Sequence, residues 1–208
     1  MLKNTSSTKR LVISRLCFLG IAVWMPAIAY SQAIITTLGS RIPMLNGSNL
    51  SAWEGSGSRK GNANWQIIDQ EIQVTEGNGT LVSRISVPDF QIEFDYWVGK
   101  DTQVTVFFRC ANPNVINDDT AYELTLVNQA NGLGAGSIFL LNKVIPTKIA
   151  NQWNHIQISA IGTELSVTLN GVTQQVRDTR FNAGPFAINY MGGELRLKNI
   201  YVTVPGRW

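Results

Sequence analysis

Apolar and polar residues alternate with a period of two through almost every segment after residue 40. In "FQIEFDYWV" (90–98), Phe94 and Tyr96 share one face of an extended strand. Glu93, Asp95 and Trp97 share the other face. No stretch shows the period of an amphipathic helix, and Gly, Asn, Asp or Pro bound about a dozen such segments, among them "SIFLLNKV" (137–144). The pattern predicts short antiparallel strands.

The clearest local signal is "SVTLNGVTQQV", in which Asn170 and Gly171 separate two alternating runs. Both residue types tolerate the positive φ of a two-residue hairpin turn, so this segment predicts a β-hairpin. A dozen strands exceed what one flat sheet usually holds. We therefore expect an all-β fold, a two-sheet antiparallel jelly-roll sandwich. No linker or repeat divides residues 34–208, which predicts a single domain.

The first 33 residues have the layout of a secretory signal peptide. Four basic residues precede the apolar run "LCFLGIAVWMPAIA", and small residues follow it. An uncleaved anchor helix is the alternative, but Pro26 interrupts a run that is short for a membrane span. We expect cleavage after Ala29 or Ala33 and an exported protein, periplasmic or extracellular, with no stable membrane insertion.

The charge balance excludes a nucleic-acid footprint. Of the 17 Lys and Arg residues, four lie in the signal segment, which contains none of the 14 Asp and Glu residues. The rest of the chain is therefore close to neutral, and no basic stripe is left to contact a row of phosphates. Cys17 lies in the signal segment, so Cys110 has no cysteine partner in the mature chain.

Familiar catalytic and metal-binding arrangements are mostly absent. His155 is the only histidine, and it lies within a strand pattern, so a Ser-His-Asp triad is not expected. His and Cys clusters for a transition metal are missing as well. We expect no cofactor and no metal; a Ca²⁺ held by Asp118 and Asp119 is the alternative to a solvated acidic turn there.

The strands "VTVFFR" and "AYELTLVN" carry polar residues among large apolar ones. The alternation places Arg109 with Thr105 and Phe107 on one face, and Glu123 with Thr125 on one face. One interpretation is the solvated outer face of a sandwich with a weak Arg-Glu ion pair. The other is a ligand face that binds a carbohydrate, because sugar hydroxyls need polar partners while their C–H faces stack on aromatic rings.

Several short motifs in order resemble the 3-keto-disaccharide hydrolase family. They cover roughly residues 43–204 and read "MLNGSNLSAWE", "NWQIIDQEIQV", "LVSRISVPDFQIEFDY", "VFFR", "AYELTLVN", "NQWNHIQISAIGTELSVTLNGV" and "GPFAINYMGGELRLKNIYV". The resemblance implies a concanavalin-like jelly roll that cleaves 3-keto-glycosides by lyase and hydratase chemistry.

The resemblance also implies roles for particular residues on the concave sheet. Arg109 stands where the family has an Arg ending its central strand, Glu123 where it has the Glu of a Tyr-Glu pair, and Asp95 where it has an acidic residue. We expect Glu123 to act as the base, Arg109 to stabilise an enolate oxygen, and Asp95 to complete the polar centre. Asp95 and Glu123 would also be the one candidate pair for a two-carboxylate glycosidase. The residues expected to bind the sugar are Trp97, Phe107, Thr125 and Asn189.

The chain departs from the family pattern at several positions. Gln103, Val104 and Thr105 replace Asn-Ser-Gly before the central strand. Thr125 and Asn128 replace a Gln and an Asp, and Asn189 and Met191 replace a Gln and a His. These changes remove acid-base or metal-binding groups. The alternative to an enzyme is therefore a non-catalytic carbohydrate-binding or interaction module on the same fold.

Overall fold

The structure is a computed structural model that describes residues 39–47, 49–55 and 61–206. The signal peptide predicted for residues 1–33 lies outside these ranges. Within them the chain forms thirteen strands and no helix, and so has no helix of the length and apolarity needed to cross a membrane. The all-β prediction is confirmed.

In chain order the strands are β1 (Ser40–Pro43), β2 (Trp53–Gly55), β3 (Gln66–Ile68), β4 (Glu71–Val74), β5 (Gly79–Val87), β6 (Phe90–Val98), β7 (Gln103–Phe108), β8 (Tyr122–Thr125), β9 (Trp153–Ile161), β10 (Glu164–Leu169), β11 (Val172–Arg177), β12 (Gly184–Gly192) and β13 (Leu195–Val204).

These strands form two antiparallel sheets. The eight-stranded sheet has the order β11-β10-β9-β6-β13-β4-β3, with β1 paired to the second half of β13. The five-stranded sheet has the order β2-β5-β12-β7-β8. The two-sheet sandwich predicted from the number of strands is confirmed.

The core lies between the inner faces of the two sheets. On β6 every second side chain is buried, and Phe94 and Tyr96 are 0% exposed. From the five-stranded sheet, Val106 and Ile188 belong to the same core cluster. Each such side chain contributes roughly 1.5–3 kcal/mol on burial, so the alternation read from the sequence supplies most of the driving force for stacking the sheets.

One predicted hairpin is confirmed and one predicted strand is wrong. Asn170 (φ 48°) and Gly171 (φ 84°) form the turn between β10 and β11. The segment "SIFLLNKV" forms no strand, although Ile138 makes an isolated bridge to Leu124. The Asn142 side chain accepts the Ile138 N–H at 2.6 Å, which closes a turn in place of a strand ladder.

Arg109 follows β7 directly and is a buried charge, with 1% of its surface exposed. Its φ of 51° takes the backbone out of strand geometry. The alternation therefore breaks at this residue, and the following Cys110, not Arg109, clusters with Phe107. The prediction that Arg109 shares a face with Thr105 and Phe107 is wrong for this reason.

The Arg109 guanidinium contacts two connections that cross between the sheets. Nε donates to the carbonyl oxygen of Pro88 at 2.9 Å, and Nη2 lies 3.4 Å from an Asp89 carboxylate oxygen, both in the β5–β6 connection. Nη1 donates to the carbonyl oxygen of Phe181, in the β11–β12 connection, at 3.3 Å. Burial lowers the pKa of the guanidinium and Asp89 partly offsets this, but an arginine stays charged.

Replacing Arg109 with Met is expected to lower the free energy of unfolding by at least about 2 kcal/mol, because two part-buried carbonyl groups lose a charged donor. The matched control is Arg84→Met, which removes an exposed Arg-Glu54 pair and should cost less than about 1 kcal/mol. Denaturant unfolding of both variants measures the difference. Equal losses of unfolding free energy in the two variants would contradict a stabilising role of the Arg109 hydrogen bonds.

Candidate functional site

The seven residues predicted for the site do not share one surface. Asp95 and Trp97 lie on the outer face of the eight-stranded sheet. Arg109 is buried at one end of the sandwich. The outer face of the five-stranded sheet carries the other four, Phe107, Glu123, Thr125 and Asn189. The core separates the two outer faces. The prediction that Asp95, Arg109 and Glu123 form one polar centre is therefore wrong.

Asp95 belongs to a surface hydrogen-bond network. One of its carboxylate oxygens lies 2.7 Å from Nδ1 of His155, and the other accepts the side-chain amide of Asn199 at 2.7 Å. The His155 side chain is 54% exposed. Because Asp95 and Glu123 lie on opposite outer faces, they cannot flank one glycosidic bond, and the two-carboxylate arrangement is excluded.

Trp97 is surrounded by charges that already have partners. It lies opposite Trp153 and Arg196 in the strand register. The Lys198 ammonium lies 3.7 Å from the centre of a Trp153 ring, and Arg196 pairs with Glu71 at 2.7 Å. The outer face of the eight-stranded sheet therefore has the character of a solvated surface.

The outer face of the five-stranded sheet presents two rows of side chains across its strands. We call Thr80, Asn189, Thr105 and Thr125 the polar row, because the strand register places them side by side. The same register gives the apolar row, which consists of Val82, Ala187 and Phe107 and ends at Glu123. An apolar strip beside a row of hydroxyl and amide groups results.

The loop between β7 and β8 covers part of the apolar row. Ile116 packs against the cluster that contains Phe107, and the Ala111 N–H donates to the Thr120 carbonyl at 2.8 Å, which closes the loop. Next to it lies a cavity of about 380 Å³, which we call the face cavity. It is lined mainly by Thr80, Phe107, Ile116, Asn189, Tyr190 and Met191.

The side chains of the polar row differ in how many hydrogen bonds they already make. Thr80 donates its hydroxyl to Oδ1 of Asn189 at 3.0 Å, and the Asn189 amide nitrogen has no acceptor within the described ranges. Thr125 is 3% exposed and donates to the Val127 carbonyl at 2.8 Å, so it is the least accessible of the predicted sugar-binding residues. Met191, 61% exposed, lies at a bulge in β12.

Of the residues that line the face cavity, the sequence predicted Phe107 and Asn189 and missed the others, and Thr80 and Ile116 show why. Thr80 could have been found, because it alternates with the core residue Leu81 in "GTLVSRIS". Ile116 carried no such signal, because it lies in the irregular β7–β8 loop and only the folded chain brings it over Phe107.

Glu123 is half-buried at the end of the apolar row. Burial raises its pKa, and the nearby charge of Asp118 raises it further. No Lys, Arg or His of the described ranges forms an ion pair with it, because Arg109 is turned into the core and Arg84 pairs with Glu54. Glu123 does not line the face cavity but pairs in the strand register with Phe107, which does. The raised pKa makes its carboxylate a better proton acceptor than an exposed one.

The described part of the chain contains neither a metal-binding cluster nor an accessible thiol. No group of three or more His, Cys, Asp or Glu residues there could hold a metal ion, and this includes the surroundings of Asp118 and Asp119. Cys110 is 1% exposed, and burial raises the pKa of its thiol to about 12. A thiol of this kind is inert as a nucleophile.

Comparison with known proteins gives one family. Residues 40–203 match the family model described as the 3-keto-alpha-glucoside-1,2-lyase-like domain. No curated protein matches the sequence.

Solved structures of low sequence identity share the fold. A candidate glycosyl hydrolase from Parabacteroides distasonis superimposes with a TM-score of 0.65 at 15% identity, covering 78% of this chain and 92% of that one. The carbohydrate-binding module CBM66 from Bacillus subtilis gives 0.55 at 18% identity, with coverages of 74% and 96%. A Bacillus licheniformis beta-glucanase gives 0.53 at 13% identity, with coverages of 83% and 100%. The fold is thus of the concanavalin-like type.

The variant Glu123→Gln is expected to gain stability relative to the native protein as the pH rises from 4 to 7. Since the folded state raises the pKa of Glu123, its contribution to stability is present below the ordinary pKa of 4.5 and is lost as the pH rises through the folded value. Glutamine cannot ionise and avoids this loss. The gain should stay below about 1 kcal/mol, because water screens a half-exposed site.

Denaturant unfolding at both pH values measures this gain. Glu76→Gln, at an exposed carboxylate, is the control and should give the same difference from the native protein at both pH values. If Glu123→Gln behaves like this control, Glu123 does not titrate in a desolvated site.

Proposed function

Because the chain belongs to the 3-keto-alpha-glucoside-1,2-lyase-like domain family, we propose that it binds a glucoside in the oxidised 3-keto form in the face cavity. It is a concanavalin-like domain of a carbohydrate-active family. The observation that carries the proposal is the meeting of the polar row and the apolar row at one cavity of about 380 Å³. The volume is in the range of small-molecule sites.

The chemistry of the face cavity complements a pyranose ring. Thr80 and Asn189 line the cavity, Thr105 lies beside Asn189 in the strand register, and all three offer hydroxyl or amide groups to the sugar hydroxyls. The Asn189 amide nitrogen has no acceptor within the described ranges and is a donor for a carbonyl oxygen such as the 3-keto group. Phe107 is only 7% exposed, so most of the contact with the C–H face would come from Ile116 and Met191.

The structural neighbours support a carbohydrate ligand without deciding between binding and catalysis. One of them is named as a carbohydrate-binding module and another as a beta-glucanase. The fold is therefore compatible with either function, and the choice between binding and catalysis depends on the residues of the site.

Lyase activity is the second candidate function, and the raised pKa of Glu123 favours it. Glu123 would take the proton from C2 beside the 3-keto group. The C1–O bond would then break, a C1=C2 double bond would form, and the departing oxygen would take up a proton. Arg109 cannot hold the enolate oxygen, because its side chain is buried away from this face. The geometry therefore supports binding more directly than turnover.

The site of action that we propose is outside the cytoplasm, in the periplasm or the medium. The support is the signal-peptide layout of residues 1–33. Oxidised glycosides present there would reach the face cavity without crossing a membrane.

Titration calorimetry with methyl 3-keto-α-glucoside tests the ligand. Asn189→Ala is expected to weaken binding at least about tenfold, because it removes the free amide donor and the partner of Thr80. Trp97→Ala, on the opposite outer face, is the matched control and should leave the affinity unchanged. No saturable binding, or an equal loss in both variants, would refute the face cavity as the site.

Turnover of the same ketoglucoside separates the two candidate functions. If the protein is a lyase, the native chain consumes the ketoglucoside and Glu123→Gln lowers the rate at least about 100-fold, while leaving the affinity nearly unchanged. Glu76→Gln should keep the full rate. Saturable binding without consumption would identify a binding module, and a fully active Glu123→Gln would remove Glu123 from the mechanism.

A further inference from the structure

The β10–β11 hairpin leaves part of its inner face uncovered. Leu165 and Val167 of β10 are 0% and 1% exposed within the core, but Val172 of β11, which faces the same way, is 62% exposed. A cavity of about 270 Å³ lies between this part of the hairpin and the loop of residues 134–148. We call it the hairpin groove. Its apolar lining consists of Ala135, Val144, Val167, Leu169 and Val172.

Hydrogen bonds hold the loop side of the hairpin groove in place. The Val144 N–H donates to the Ser137 hydroxyl at 2.9 Å, and its carbonyl accepts the Gly134 N–H at 2.9 Å. Gly136, with a φ of 89°, brings the loop backbone close to Leu169 and Val167. This side of the hairpin groove is therefore formed without a ligand.

The hairpin side is held equally firmly at its turn. Asn170 accepts the His155 N–H through Oδ1 at 2.9 Å and donates from Nδ2 to Asn154 at 3.0 Å. Since both sides are fixed in the free protein, a ligand that enters the hairpin groove loses little affinity to ordering of the protein.

The polar groups of the hairpin groove are available to a ligand. The side chains of Thr147, Lys148 and Gln174 line it and make no hydrogen bond or ion pair within the described ranges. Among its lining residues there is a lysine ammonium and no carboxylate. An apolar groove with one cation and two neutral hydrogen-bonding groups complements an anion with an apolar body.

We propose that the hairpin groove is a second binding site, which takes a small carboxylate with an aliphatic or aromatic body. The body would cover Val172 and Leu169, and the carboxylate would accept hydrogen bonds from Lys148 and from Gln174 or Thr147. This site is independent of the face cavity, because it lies on the inner side of the eight-stranded sheet and shares no lining residue with the face cavity.

Titration calorimetry of octanoate with the full chain tests the hairpin groove. Lys148→Gln and Val172→Glu are each expected to weaken binding at least about tenfold, the first by loss of the cation and the second by placing a negative charge against the ligand. Both side chains are exposed, so the fold should persist, which thermal melting checks. Lys100→Gln, at an exposed lysine outside the hairpin groove, should bind octanoate like the native chain.

One uncharged ligand and one positively charged ligand with the same number of carbon atoms complete the test. Octan-1-ol should bind at least about tenfold more weakly than octanoate, and octylamine more weakly still. If octanoate does not saturate, or binds both groove variants like the native chain, the site is refuted. If octanol binds as tightly as octanoate, the assignment to carboxylates is overturned. Methyl 3-keto-α-glucoside should bind Val172→Glu unchanged, which keeps a failure here distinct from a failure at the face cavity.

Discussion

The buried guanidinium of Arg109 links two connections between the sheets that the pairing of the strands does not itself hold together. Its donors reach the β5–β6 connection at Pro88 and the β11–β12 connection at Phe181. In both connections the chain passes from one sheet to the other. The left-handed backbone at Arg109 makes this possible, because a residue in strand geometry at this position would send its side chain to the outer face.

The same turn of the backbone determines the electrostatics of the face cavity. With Arg109 directed inward, Glu123 is left half-buried next to Phe107 and without an ion-pair partner in the described part of the chain. Its pKa rises because desolvation, reinforced by Asp118, is not offset by a cation. One backbone conformation therefore both stabilises the fold and leaves Glu123 without a cationic partner among the described residues.

The outer face of the eight-stranded sheet, the face cavity and the hairpin groove differ in how many of their polar groups already have hydrogen-bond partners. On the outer face of the eight-stranded sheet, Asp95 and Glu71 already have partners, so that face offers little to a ligand. Among the described residues, the amide nitrogen of Asn189 at the face cavity and the side chains of Lys148 and Gln174 at the hairpin groove have no hydrogen-bond partner. Unpaired polar groups beside apolar walls favour the binding of a small molecule.

The sequence by itself determined the fold class, the antiparallel pairing, the Asn170-Gly171 hairpin, and the side of its own strand on which Phe107 or Glu123 lies. These properties follow from side-chain alternation and turn chemistry, which act over a few residues. Tertiary structure alone decided that Asp95 and Glu123 lie on opposite outer faces, since alternation is the same whichever sheet a strand joins. It also decided the direction of the Arg109 side chain. Its positive φ accompanies contacts with Pro88 and Phe181, which are distant in sequence, and no local sequence pattern predicts it.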